Sequence, residues 1–296
     1  MQFFNHLIDT IQHCIQQNEE LSNDTLALAQ KIQSSARLIF NVQELSVPVP
    51  MPAFTRKDYD NLVTIIIPFR LRSETDGRLR NLERLLNKLN IQHNRDFRVV
   101  AVEENTQPVY QAYIGNTCAD YLFVQGGDRF NKAAAINAAA RCVEGNDELL
   151  CLLDADAFID ETFVDRCVGG VLELGTNVLM PYTDMFFLTA AATDRIYNFG
   201  FKAANPLEGY VTTGSPGGCM WIKARSFQSQ GGLDEGFSGW GGEDRDFYSR
   251  IEKVERISRF PGLFVHLFHE RPPEIQAALR SNDPWRYDYL PESYPL

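Results

Sequence analysis

The sequence has no Cys-x-x-Cys pair, no surplus of basic charge, and no apolar run near the ~18 residues that a membrane span requires. Six cysteines (Cys14, Cys118, Cys142, Cys151, Cys167 and Cys219) are scattered, several within apolar runs where small core residues belong, and they read as reduced thiols. No basic segment precedes an apolar one at the N-terminus, so a soluble, cytoplasmic protein is expected. The formal net charge of −11 repels nucleic acid and anionic lipid, and any anionic ligand must be received by a metal ion or a local group of cations. A Gly-x-Gly-x-x-Gly fingerprint after the first strand is also missing, which excludes a conventional dinucleotide site. Internal repeats and low-complexity segments are absent.

What is present describes a globular chain. With 44% hydrophobic residues over 296 positions, it can bury one large core. Apolar positions at spacings of three, four and seven (Phe4, Ile8, Ile11, Ile15, then Leu21, Leu28, Ile32, Ile39) predict an N-terminal helical hairpin over 1–46. That hairpin packs against the main domain or offers a homodimer contact. Val47-Pro48-Val49-Pro50-Met51-Pro52 predicts an extended linker, 47–61, with the main domain over 62–296. There the β-branched run Val63-Thr64-Ile65-Ile66-Ile67 reads as a strand buried on both faces. A helix (Leu79 to Leu89), strands (Phe97 to Val102, Tyr121 to Val124), a helix (Ala133 to Val143) and a strand (Leu149 to Leu153) then alternate. This is α/β winding, with a mostly parallel central sheet and ligands at the carboxyl ends of its strands.

Four clusters carry chemistry. Asp154-Ala155-Asp156 follows a buried strand, and in extended chain its two carboxylates share a face, a hard oxygen pair suited to Mn²⁺ or Mg²⁺. His266-Leu267-Phe268-His269 ends an apolar run, and imidazole beside carboxylate favours Mn²⁺. Phe130-Asn131-Lys132 opens an alanine-rich helix whose N-terminus, with Lys132, could receive an anion, while Arg70 and Arg72 stand where the first strand delivers its loop. Gly239-Trp240-Gly241-Gly242-Glu243-Asp244 brings an aromatic platform between glycines to a burst of acids, where an amphipathic helix (Phe247, Ile251, Val254) begins. Each cluster alone has a structural reading: acids capping a turn or a helix, core histidines, surface cations.

Together and in this order, Val63-Thr64-Ile65-Ile66-Ile67-Pro68-Phe69-Arg70-Leu71-Arg72, Phe130-Asn131-Lys132, Asp154-Ala155-Asp156, Gly217-Gly218, Trp240-Gly241-Gly242-Glu243-Asp244 and His269 resemble the GT-A fold glycosyltransferases. The likeness is to the β1,4-galactosyltransferase-like group and the bacterial family 2 enzymes, and it covers roughly 62–271. It implies a Rossmann-like GT-A domain with a nucleotide-sugar half (62–160) and an acceptor half (161–296). The implied activity is metal-dependent, inverting transfer from a UDP-sugar to a saccharide or glycoconjugate hydroxyl, as in polysaccharide biosynthesis. By that resemblance Pro68, Phe69, Arg70, Arg72, Lys132, Asp154, Gly218 and Trp240 border the donor. Asp156, His269 and His266 hold Mn²⁺ or Mg²⁺, and Asp244 is the base with Glu243 beside it. Arg245 stands where animal galactosyltransferases carry an acid, and Ser215-Pro216 before Gly217-Gly218 leaves room for an N-acetyl group. Rivals are a retaining transferase on the same fold and a non-catalytic carbohydrate-binding protein using Trp240, Tyr210 and Trp221.

Overall fold

The computed structural model describes residues 63–71, 77–93, 95–143, 145, 148–199, 208–239, 241–260 and 262–271. The expected N-terminal hairpin, the linker, Arg72, Trp240 and everything after 271 lie outside the described residues, as does the side chain of Tyr210.

The run from Val63 to Phe69 forms β1, buried at every position. Each fully buried Ile there contributes about 1.5–3 kcal/mol of hydrophobic stabilisation, and the strand runs through Pro68, in register with Val102, to Phe69 beyond it. β1 is flanked in parallel by β2 (Arg98–Asn105) and β4 (Leu149–Leu153), and β2 in turn by β3 (Asp120–Gln125). The sheet continues through β9 (Cys219–Lys223), β6 (Val178–Met180) and β10 (Ile257–Arg259) to seven strands, in the order β10-β6-β9-β4-β1-β2-β3. Only β9 runs antiparallel to its neighbours, so the sheet is mostly parallel. Helices α1 (Gly77–Asn90), α2 (Gln111–Ile114), α3 (Lys132–Ala140) and α4 (Phe163–Glu173) alternate with the strands. This is the α/β architecture expected of a GT-A domain.

A second sheet of four strands has the order β5-β11-β7-β8: Ala157–Phe158, Leu263–His266, Asp184–Leu188 and Gly209–Thr213. Pairing of His266 with Ala157 draws the end of β11 to the turn that follows β4. Helices α5 (Ala190–Phe199), α6 (Ala224–Ser229) and α7 (Glu243–Ile251) complete the described elements. Among the described residues no helix is long and apolar enough to cross a membrane.

Three expectations are corrected. Val254 is 62% exposed and lies past the end of α7, because its N–H turns back to the Ile251 carbonyl at 3.0 Å. Trp221 is fully buried against Phe163, with ring centroids 5.7 Å apart, so it cannot serve as a sugar platform. Asp154-Ala155-Asp156 is not extended: Ala157 N–H donates to Asp154 O at 3.1 Å, closing a turn that sends the two carboxylates to different neighbours. The cysteines among the described residues are free thiols, as expected.

Candidate active site

Asp156 leaves the turn toward the end of β11, whose chain is fixed there by the Leu267 N–H to Asp156 O bond of 2.9 Å. His266 Nε2 lies 3.1 Å from Asp156 Oδ1, and His269 Nε2 lies 3.0 Å from Oδ2. Each imidazole uses its other nitrogen on a carbonyl: His266 Nδ1 donates to Leu267 O at 2.8 Å and His269 Nδ1 to Glu270 O at 2.9 Å. A carbonyl only accepts, so each Nδ1 carries a proton, and both Nε2 atoms face the carboxylate. Burial lowers the His266 pKa to about 4, keeping that ring neutral at pH 7. Burial works to raise the Asp156 carboxyl, but the two imidazoles outweigh it and hold its pKa below the ordinary range. Buried Asp156 Oδ1 has no hydrogen-bond partner. Two imidazole nitrogens and a carboxylate, with their ligand atoms within 4.8 Å of one another, form a donor set that could hold a metal ion.

Asp154 turns the other way. Its N–H donates to Gly218 O at 2.9 Å, and its Oδ1 receives the Lys132 ammonium at 2.7 Å. The same ammonium reaches Asp244 Oδ2 at 2.8 Å and lies 3.7 Å from Glu243 Oε1. Lys132 opens α3, capped by Asn131, whose side chain accepts from Ala134 N–H. Asp244 and Glu243 open α7. Gly242, at φ 103°, sets that start, and an added Cβ would fall 2.7 Å from the Phe237 ring. Burial is the main force raising the Asp244 pKa to about 7, with Lys132 opposing and Glu243 and Asp154 adding to it. Lys132, Asp154, Pro216, Gly217, Gly218 and Asp244 line one cleft.

The sequence-named residues therefore gather in two clusters joined by the Asp154–Asp156 turn: a carboxylate–ammonium cluster in the cleft, and the Asp156–His266–His269 triad. Pro68 and Phe69 are buried at the end of β1, Phe69 edge-on to Tyr110 at 6.2 Å. Arg70 is drawn inward, donating from Nε to Glu104 O at 2.7 Å and from Nη2 to Gly127 O at 2.9 Å, with Glu104 Oε2 3.0 Å away.

Several supporting residues are not signalled by local pattern. Tyr182 is fully buried and donates to the Gly217 carbonyl, while Arg259 reaches Ser215 O at 3.3 Å, so the two hold the loop beside Asp244. Glu103 and Glu104 are buried at the end of β2, Glu103 receiving the Tyr110 N–H at 2.9 Å and the Tyr121 hydroxyl at 2.8 Å. Paired acids ending an apolar strand are the signal that marks them.

Comparison with known proteins gives concordant matches. A family model described as glycosyl transferase family 2 matches residues 64–231, and one described as the N-terminal domain of galactosyltransferase matches 202–270. Chondroitin sulfate N-acetylgalactosaminyltransferase 2 of Homo sapiens and that of Mus musculus are each 27% identical over 168 residues, covering 51% of this chain and 29% of theirs. The chain thus spans about three tenths of the length of these curated relatives. Two crystal structures of S. aureus TarS 1-349 are similar over 70% of this chain and 60% of theirs, at 14% identity and, for the complex with UDP, 15%. Both have a TM-score of 0.48.

Proposed function

Because the chain belongs to glycosyl transferase family 2, whose model spans more than half of it, we propose that it transfers a sugar from a UDP-sugar to a saccharide or glycoconjugate hydroxyl with inversion. The observation that carries this reading is Asp244, a half-buried carboxylate in the cleft with its pKa raised to about 7. A sugar hydroxyl is a poor nucleophile at neutral pH, and a base with a pKa near the working pH combines the correct protonation state with useful driving force. As the acceptor oxygen bonds to the anomeric carbon, the carbon–phosphate oxygen bond breaks and the hydroxyl proton passes to Asp244. One displacement inverts the anomeric centre.

Asp156, His266 and His269 would hold Mn²⁺ or Mg²⁺, which when bound supplies positive charge to the departing diphosphate. Asp154, Gly218 and the residues at the end of β1 border the donor in this reading, and Glu243 orients the acceptor. The names of the curated relatives and the small residues Gly217-Gly218 support a hexosyl or N-acetylhexosaminyl donor.

The test is the anomeric configuration of the product. Proton NMR of a reaction fed an α-linked UDP-sugar should show a β-linked product, whereas an α-linked product would replace this reading with retaining transfer.

A further inference from the structure

We propose that Lys132 is a positioning residue for the base: its ammonium ties Asp244 to Asp154 and presents the Asp244 carboxylate to the acceptor. It does not spend its charge on the donor diphosphate. The inference rests on the reading of Asp244 as base. A lysine at a helix start is ordinarily a candidate anion contact, and three features of this one argue otherwise. First, two of its three donors are engaged within the protein, at 2.7 Å to Asp154 Oδ1 and 2.8 Å to Asp244 Oδ2, and the charge also lies 3.7 Å from Glu243 Oε1. Second, part of the start of α3 is taken up by the chain itself: Ala134 N–H bonds the Asn131 side chain at 2.9 Å, and Asn131 N–H bonds Glu104 Oε2 at 3.0 Å. Third, the Lys132 side chain is only 15% exposed.

The geometry also divides the two oxygens of Asp244. Oδ2 holds the ammonium on one side and closes on Gly217 on the other, where an added Cβ would stand 2.6 Å away. Oδ1 has no hydrogen-bond partner among the described residues, and it is the atom left to take a proton. Lys132 thereby joins three elements: the start of α3, the turn after β4 and the start of α7.

The groups facing Asp244 are Lys132 from α3, Asp154 from the turn, Glu243 from its own helix and the Tyr182 hydroxyl after β6. Lys132 is the cation among them, and it faces three acids. Burial disfavours its charge, but Asp154, then Asp244 and Glu243, more than compensate and keep it protonated. An opposite charge at hydrogen-bond distance holds a carboxyl pKa down by about 1–3. Losing it leaves Asp154 and Glu243 acting on Asp244 unopposed, so the base would take up its proton at higher pH.

The experiment compares Lys132→Met, Lys132→Gln and Lys132→Arg with wild type in three readouts. These are kcat/KM against pH, using whichever of UDP-galactose, UDP-glucose and their N-acetylated forms the wild type turns over; calorimetric affinity for UDP with Mn²⁺; and titration of the Asp244 carboxyl by carbon-13 NMR, assigned with Asp244→Asn. In the two neutral variants, the acid limb and the NMR titration should both move to higher pH by about 1 or more. UDP affinity should be unchanged, and Lys132→Arg should return the limb toward wild type. Weakened UDP binding with an unmoved limb and titration would make Lys132 a donor contact and overturn the inference. An NMR titration that moves while Asp244→Asn keeps full turnover would instead leave the coupling standing and remove Asp244 as base. Because both neutral replacements are tested, failure of Lys132→Met alone to fold leaves Lys132→Gln to decide.

Discussion

Asp156 and Asp244 are the same side chain driven to opposite acidities. Burial acts to raise both, but at Asp156 two imidazoles outweigh it and the carboxyl stays ionised, as its proposed role of metal ligand requires. At Asp244 burial prevails, and the pKa rises to about 7. As the proposed base Asp244 acts in its deprotonated form, so kcat/KM should climb as pH rises through about 7 and level off above it; a profile flat from pH 5 to 9 would contradict that role. Asp156→Asn removes one anionic oxygen from the triad without changing its size. UDP binding should then lose its dependence on Mn²⁺, as calorimetry with and without the ion would show, since hard-cation sites are tuned by ligand charge. Unchanged affinity with unchanged metal dependence would clear Asp156 of the assignment.

At the scale of elements, α3 organises the site from its start and its middle. Its start supplies Lys132. From its middle, buried Asn137 donates to Leu233 O at 2.8 Å and accepts the Leu233 N–H at 2.9 Å, anchoring the loop that leads to α7. Asn137→Ala would leave buried backbone groups of Leu233 unpaired and should cost about 1–3 kcal/mol in chemical denaturation. Gly217→Ala tests the wall of the cleft: its methyl would stand 2.6 Å from Asp244 Oδ2 and displace the carboxylate. Misplacement of a reacting group by about 1 Å can cost around 10²-fold, so turnover should drop by that order while the melting temperature changes little.

These elements also show what the sequence makes legible. β1 and β4 announce themselves because they are buried on both faces and read as apolar runs, broken in β1 only by the β-branched Thr64. The second sheet does not. β7 begins with buried Asp184 and β8 is Gly209-Tyr210-Val211-Thr212-Thr213, while β6 and β10, in the large sheet, are three residues each, too short for any period to register. The grouping of Asp156 with His266 and His269 is legible because two short motifs, Asp-x-Asp and His-x-x-His, hold all its members. The enclosure of Lys132 by three acids is not, since Asp154 and Asp244 come from distant stretches that only the fold brings together. The turn at Asp154–Asp156 defeats the alternation argument because one backbone hydrogen bond replaces extended geometry.

At the scale of the whole molecule, a chain of net charge −11 concentrates its ligand chemistry where the main sheet and the four-stranded sheet meet. In the proposed reading the acidity of the whole is offset locally by a cation at the triad, because Lys132 is already matched by its own carboxylates. Ligand binding should therefore be felt globally. UDP with Mn²⁺ at about 100 times its dissociation constant should add about 2.7 kcal/mol of stability, seen as a raised melting temperature that neither component gives alone. A melting temperature unmoved by the pair would contradict a nucleotide site that depends on metal. The most direct test of the central claim is the turnover of Asp244→Asn measured beside its affinity for UDP with Mn²⁺. The account predicts a fall of about 10²–10⁴ in rate with affinity intact, because the amide keeps the shape of the carboxylate but cannot accept the proton. Turnover near the wild-type rate would contradict it.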